Sequence, residues 1–590
     1  MTLEPVLMLT LQVGVPALLS LLLSLACEPL VQPRPAPFRQ RSRATLSIHV
    51  GTWLVLYALA LLVLQRGWLS AGLLNVLYLV VIQSCRSKWD SLKEPFLVQD
   101  FEYFLDAIRH PRLYVPFFGL GLAIAASTSG AAAFLAFLWW EPSLITTHGA
   151  MVWLLCVASI GGSGALLLGT GLTRLPSVTL DPQTDLHRHG MISYFWAYGL
   201  YPTEPLDPSL VPDCLREPHR TASPGSPSSE SLSKESLSKE SLPNMVIVQS
   251  EAFFDPREWQ PDLPRDLLPN WDRMRMQALA SGPLRVPVWG ANTVRSEAAF
   301  LTGIDNAALG MHRFMPYRPM ASQAIPNLVS ALKQIGYRCV ALHPYPASFY
   351  DRERVMPMLG FDEFIDISSF DVADRDGQYI SDKAVARKVH ELLAQGSGVQ
   401  ETGPRETGPK ETGPQENEQP LMVFVITMEN HGPLHLEPAS SEWRNRIPHH
   451  IETRLQQRDA DTLSVYLRHL HNADSMLGEL RDSLIEQPRH GLLCWYGDHV
   501  PIMEAVYESL GEPSGDTHYL VWSTRDACQP TTMTTAPTKI ECLAQRLWQD
   551  LAQRQTLRDQ AESHQTESER TAPRAAHGTQ QQGFELQEQQ

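Results

Sequence analysis

The chain has 590 residues, a formal charge of −16 from 48 Lys and Arg against 64 Asp and Glu, and 44% hydrophobic residues. That length allows three or four domains of about 150 residues and a full-sized core, which excludes collagen-like, disulfide-miniature and wholly disordered chains. An acidic balance without a long Lys/Arg block argues against nucleic acid as a partner, because phosphate neutralisation needs a basic face.

The average conceals a division. Residues 1–175 carry net charge +3 and the remainder −19. The uncharged runs 6–27, 44–64, 113–139 and 151–172 are each 21 residues or longer, enough to cross a bilayer as a helix. Run 68–84, with 17 residues, sits at the lower limit and counts as a fifth span. The first run lacks a basic flank and a small-x-small cleavage site, so it reads as a span and not a signal peptide. Loop Glu28–Arg43 carries four Arg and loop Cys85–Arg112 five Lys/Arg, while Trp140–Ala150 has none. The positive-inside rule places the two basic loops in the cytoplasm, and five spans then bring everything after residue 175 to the same side.

Eight cysteines show no CxxC pair and no metal-ligand spacing, and only Cys528 and Cys542 stand out as disulfide partners. Residues 176–243 read as a linker that includes an SLSKE repeat. Residues 394–419, with ETGPx three times, read as a spacer inserted into a surface loop. The Gln/Glu-rich tail 553–590 is expected to be disordered.

Between these spacers, at 244–552, strand and helix alternate. Met245–Ser250, Arg338–Leu342, Leu421–Met428 and Leu492–Tyr496 are short apolar runs, separated by the helical stretches Ile325–Ile335, Asp382–Leu393 and Asp461–Glu486. This predicts an α/β domain with a mostly parallel central sheet behind an α-helical membrane domain. Ligands of such sheets bind beyond the carboxyl ends of the strands. The residues there are Glu251, His343, Glu429-Asn430-His431-Gly432-Pro433 and Gly497-Asp498-His499. Singly, a strand-end acid is most often solvated and a lone His hydrogen-bonded. The adjacent Asp498 and His499 are more telling, because they offer two metal ligands compactly, and a carboxylate-rich set with one imidazole suits Mn²⁺, Mg²⁺ or Zn²⁺. Thr293, in Gly290-Ala291-Asn292-Thr293-Val294-Arg295-Ser296-Glu297, stands at the start of a helix, where exposed N–H groups can hold a phosphate; a plain Thr cap is the bland alternative.

The motif order is Glu251, then G-x-N-T-x-R-S-E, H-P-x-x-x-S-F-Y-x-R with LGFDEF, Ser381-Asp382, ENHGP and YGDH. In that order the chain resembles the lipoteichoic acid synthase family, phosphoglycerol transferases of the alkaline phosphatase/sulfatase superfamily, over residues 244–525, and is closer to its Gram-negative members. The resemblance implies that Glu251, Thr293, Asp498 and His499 bind one divalent cation, Mn²⁺ above Mg²⁺ or Zn²⁺, with Thr293 as nucleophile and His431 on the substrate side as a second catalytic residue. It implies that His343, Tyr350, Arg352 and His431 line the phosphoglycerol pocket, with Arg352 gripping phosphate oxygens bidentately. It further implies a phosphatidylglycerol donor, a glycan or glycerophosphate acceptor, and an inner-membrane protein whose catalytic domain is extracytoplasmic, against the loop-charge count. Tyr350 replaces the family's Trp, Tyr345 a polar residue and Met503 a head-group Ser, so head-group recognition is altered. A phosphoethanolamine transferase, a sulfatase-like or phosphodiesterase-type hydrolase, and an inactive membrane-anchored binding protein are the alternatives.

Overall fold

The computed structural model describes residues 3–102, 120–217, 242–396, 419–525, 532–533 and 536–551. The SLSKE and ETGPx repeats, Cys528 and the tail therefore lie outside the described residues; Cys542 carries a free, exposed thiol.

Among the described residues, four helices are long and apolar enough to cross a membrane, namely Val6–Leu30, Arg43–Leu64, Gly67–Leu92 and Ala150–Leu172. A further apolar helix runs Leu120–Trp140, and the start of the expected 113–139 span lies outside the described residues. The third helix has 26 residues where the uncharged run has 17, because no helix breaker follows until the left-handed cap at Lys93 and then Pro95. Helices Arg43–Leu64 and Ala150–Leu172 approach closely through glycine: a Cβ on Gly51 would stand 2.4 Å from Leu168 N, and one on Gly164 2.9 Å from Leu54 Cβ. Buried polar groups bridge the helices, with Trp53 Nε1–H and Asn75 Nδ2–H donating to Ser20 Oγ at 3.0 and 2.7 Å.

The expected linker needs correction over its first part. Residues 182–199 form helices Pro182–His189 and Met191–Gly199, and Leu186, Met191, Tyr194 and Tyr198 join the core of the membrane domain. The 191, 194, 198 spacing is helical, and Asp181 caps the first of these helices by accepting from Gln183 N–H. This segment holds the 28–43 loop, since Ala36 N–H donates to His187 O and Met191 N–H to Glu28 Oε1.

The central sheet of the C-terminal α/β domain runs, from one edge, 532–533, 280–285, 517–523, 491–497, 244–250, 421–426, 338–342 and 363–365. The last five strands are mutually parallel, while 517–523 is antiparallel to both its neighbours. Register pairs Val246 with Val423 and Leu493. The sheet is buried on both faces: Val246 and Val248 enter one core, Met245 and Ile247 the other. Helix Gln457–Glu486 covers the first face with Leu463, Tyr466, Leu470 and Leu477. Helix Thr293–Thr302 belongs to the second, with Phe300 stacked on Phe424 at 6.0 Å.

The two domains meet at the end of the third membrane helix. Glu94 accepts from both terminal nitrogens of Arg295, at 2.9 and 3.1 Å, and also pairs with Lys88 at 2.8 Å. Burial works to raise the Glu94 carboxyl, but Arg295 and Lys88 outweigh it and hold it down at about 2. Lys93 pairs with Glu512 at 2.7 Å. At the opposite end of the bundle the 64–67 and 140–150 turns meet, with Arg66 Nε–H donating to Glu141 O. The 28–43 loop and the described part, 85–102, of the second basic loop thus lie on the side of the α/β domain, and charges within them are spent in ion pairs such as Arg41–Glu28 at 2.9 Å.

Candidate active site

The four parallel strands 338–342, 421–426, 244–250 and 491–497 end on one edge, so Glu251, His343, His431, Asp498 and His499 converge from distant parts of the chain. Close passage of the backbone makes this possible: a Cβ on Gly497 would fall 1.8 Å from Phe253 O, so only glycine lets the strand deliver Asp498 there. Asp498 Oδ1 accepts from Ala252 N–H and His499 N–H, both at 2.9 Å, whereas Oδ2 is buried without a hydrogen bond. His499 Nε2 stands 3.3 Å from that oxygen, 3.5 Å from Glu251 Oε1 and 3.4 Å from Thr293 Oγ1.

Ligand atoms of Glu251, Asp498 and His499 lie within 4.8 Å of one another, and all three residues are buried. Burial and then the Asp498 charge push the Glu251 carboxyl well above the usual range, and burial raises Asp498 as well. Two buried carboxylates facing one another are stable as anions only with a cation between them. The orphaned Oδ2, the imidazole and the adjacent hydroxyl fit a single divalent ion in this triad.

Thr293 is the first residue of helix Thr293–Thr302, entered through Asn292 in the left-handed conformation at φ 66°. Ser296 fixes this helix to the loop that carries Asp498 and His499 by donating to Asp498 O at 2.8 Å. A small cavity is lined together by Glu251, Asn292, Thr293, His343, Tyr350, Arg352 and His431. All eight residues expected from the sequence therefore assemble at one site, six of them on this cavity and Asp498 and His499 behind it.

One expectation changes. Arg352 does not hold out a two-pronged guanidinium edge, because Nη2 and Nε are taken by Glu297, which also accepts from Tyr317 OH. Only Nη1 faces His343, 3.2 Å from Nε2. His343 Nδ1–H donates to Ile426 O at 3.0 Å, which fixes Nε2 as the acceptor, and burial followed by the Arg352 charge holds the ring well below the usual histidine range. His431 Nδ1–H donates to Gly432 O at 2.7 Å, and burial lowers its pKa to about 4. Met503 is packed in the core and offers the cavity no polar group.

Sequence reasoning passed over a buried support behind the ENHGP loop. His469 stands between Glu429 Oε1 at 2.7 Å and Glu437 Oε2 at 2.9 Å, donating from both nitrogens. Burial favours the neutral ring, but the two carboxylates outweigh it and raise the imidazole to about 9. A polar residue amid the buried stripe Tyr466, Leu470, Ala473 and Leu477 was the available signal.

The sulfatase family model matches residues 243–539. The chain belongs to the sulfatase family. Among curated relatives, it is 24% identical over 457 residues, 76% of each chain, to capsular polysaccharide biosynthesis protein RkpI of Rhizobium meliloti (strain 1021). It is 28% identical over 275 residues, 47% of this chain and 38% of the other, to a putative cyclic beta-1,2-glucan modification protein of the same organism. Among solved structures, the Streptococcus pyogenes phosphoglycerol transferase GacH in complex with sn-glycerol-1-phosphate is similar with TM-score 0.40 and 18% identity, over 54% of this chain and 76% of that one. In this member of the sulfatase family, the helix carrying Thr293 is tied to the membrane domain through Arg295 and Glu94.

Proposed function

We propose that the protein is a membrane-bound, divalent-cation-dependent phosphoglycerol transferase that moves glycerophosphate from phosphatidylglycerol to an extracytoplasmic acceptor through a phospho-Thr293 intermediate. The observation that carries this reading is the Thr293 hydroxyl at a helix start, 3.4 Å from His499 Nε2, beside two buried carboxylates and on one cavity with His343, Arg352 and His431. Glu251, Thr293, Asp498 and His499 would hold the cation, Mn²⁺ ahead of Mg²⁺ or Zn²⁺. When bound, such an ion lowers the pKa of a hydroxyl and neutralises phosphoryl charge.

The chain's own groups do the rest. N–H groups at the start of helix Thr293–Thr302 face the phosphate. Thr293 Oγ forms a bond to phosphorus as the bond to the diacylglycerol oxygen breaks, and the proton given up by the Thr293 hydroxyl leaves on the diacylglycerol oxygen. His431, neutral and with Nδ1–H committed to Gly432, keeps Nε2 to accept the proton of the incoming hydroxyl. His343 Nε2 and Arg352 Nη1 serve as the polar wall for the head group. The motif order and relatives named for capsular polysaccharide biosynthesis and cyclic beta-1,2-glucan modification support the reading; the long apolar helices support a membrane location, and the reading puts the catalytic domain outside the cytoplasm.

A second reading, phosphoethanolamine transfer, is favoured by the aromatic residues Phe349 and Tyr350 on the cavity, which suit an ammonium head group. The full chain in nanodiscs, given fluorescent phosphatidylglycerol or phosphatidylethanolamine with Mn²⁺, decides between them. Diacylglycerol from the first lipid, lost in Thr293→Ala, is the expected result; equal turnover by that variant would sink the nucleophile assignment. A reporter fused after residue 552 reads the sidedness.

A further inference from the structure

The Ser381-Asp382 pair lies outside the cavity that holds Thr293, yet it and the residues before it run along the loop that carries His431. Asp382 N–H donates to Glu429 Oε2 at 2.6 Å, Gln378 Nε2–H to Pro433 O and Gln378 N–H to Glu437 Oε1, the last two at 3.2 Å. A two-stranded hairpin, 375–376 paired with 379–380, brings these groups there. Its turn passes so close to the loop that a Cβ on Gly377, at φ 71°, would overlap the Glu437 carboxylate. Between the outer contacts lies Tyr379. Its buried ring meets His431 edge-to-face at 5.5 Å, and its hydroxyl donates to Gly432 O at 3.1 Å while standing 3.3 Å from His431 Nδ1.

We propose that Tyr379 is a positioning residue that holds His431 for the second half of the transfer, when the phospho-threonine is resolved. The inference rests on the phosphotransfer reading and adds to it a residue that serves one step and not the other. A hydroxyl that gives its own hydrogen to Gly432 O turns a lone pair towards Nδ1. The Nδ1–H then lies between two acceptors, Tyr379 Oη and Gly432 O, the latter at 2.7 Å. The ring proton is thereby kept on Nδ1, and Nε2 is left as the base. Burial, followed by the nearby Tyr345 and Glu251, raises the phenol above its ordinary value, so it stays a hydroxyl. Packing alone would be met by Phe, because Phe349 and Met428 form with the ring a small apolar cluster that makes no use of the hydroxyl. In the second half the acceptor oxygen bonds to phosphorus as the Thr293 Oγ–P bond breaks, and the acceptor's proton moves to His431 Nε2 and from there to Thr293 Oγ. The first half, in which Thr293 displaces diacylglycerol, asks nothing of that nitrogen.

The test uses the full chain in nanodiscs with fluorescent phosphatidylglycerol, Mn²⁺ and excess glycerol as the acceptor probe, followed by rapid quench. Tyr379→Phe should release its first equivalent of diacylglycerol within about two-fold of the wild-type rate. Its steady turnover should fall about ten-fold, the loss expected when one hydrogen bond to a general base is removed, and phospho-Thr293 should build up, as read by mass spectrometry. In His431→Gln, already slow in the same step, adding Tyr379→Phe should change turnover by less than about two-fold. Wild-type turnover by Tyr379→Phe overturns the inference. So does an equal fall in both phases, which a merely structural role would produce. A further loss of about ten-fold in the His431→Gln background also overturns it, because Tyr379 would then act independently of His431. No diacylglycerol from wild type overturns the donor reading and the inference with it, a failure told apart from the others because it appears before any variant is compared.

Discussion

In the membrane domain the buried acid is compensated: Glu28 has Arg41 and the Met191 N–H, the Ser20 hydroxyl receives both Trp53 and Asn75, and buried groups left without a hydrogen bond, such as Tyr78 OH and Tyr194 OH, are neutral. At the edge of the catalytic sheet, Glu251 and Asp498 are equally buried yet face each other, with one carboxylate oxygen left without a hydrogen bond. Closed networks cost little to keep and fix a shape, whereas an open one stores a demand for charge. The contrast separates scaffold from chemistry within one chain. Between them stands the Glu94–Arg295 pair, closed like the first kind but only two residues from Thr293.

The contrast breaks hardest at the open site. Thr293→Ala should reduce phosphotransfer at least ~1,000-fold while leaving the melting temperature near wild type, because it removes the proposed nucleophile and no core contact. Chelation followed by Mn²⁺ titration should abolish and restore activity, and also raise the melting temperature on metal return; a melting temperature indifferent to metal would show that the carboxylates settle their charge some other way.

Next in size is the domain junction. Glu94→Ala deprives the buried Arg295 of its carboxylate and should cost about 3–5 kcal/mol in detergent unfolding, with activity falling alongside. Exchange of the two, Glu94→Arg with Arg295→Glu, should recover part of that loss. Smaller is the effect of the His469 network. Because the folded imidazole is raised to about 9 from an ordinary 6.5, its stabilisation is complete below pH 6.5 and disappears as pH rises through about 9. The melting temperature should therefore drop across that window, and His469→Gln should flatten the slope. Smallest is Lys93→Ala, which breaks a half-exposed pair with Glu512 and should change stability by no more than about 0.5 kcal/mol.

The parallel strands and their terminal acids and imidazoles were legible because strands buried on both faces read as unbroken apolar runs, after which any charged residue stands out. Strands 280–285 and 517–523 were not: ASGPLR holds a Gly and a Pro, and THYLVWS begins with Thr517 and His518, polar residues whose burial depends on Gly497 O and Asp255 N–H brought from elsewhere in the chain. The 182–199 helices were hidden by flanking prolines and acids that read as a spacer. Commitment of Arg352 to Glu297 was invisible as well, because the two are 55 positions apart and a phosphate-binding Arg has the same one-letter appearance as a structural one. Loop charge overstates the free positive charge for a related reason, since Arg41 and Lys88 are spent on Glu28, Glu94 and Asp100.

The Arg295–Glu94 pair bears on how this protein should be cut for study. Removing the whole membrane domain takes Glu94 away but also uncovers the face it shielded, so water can solvate the guanidinium; a point change at Glu94 leaves that face covered and dry. The more drastic excision is thus expected to be the milder injury to the helix that carries Thr293. A soluble fragment that behaves well would then say little about how strongly the intact enzyme depends on its anchor.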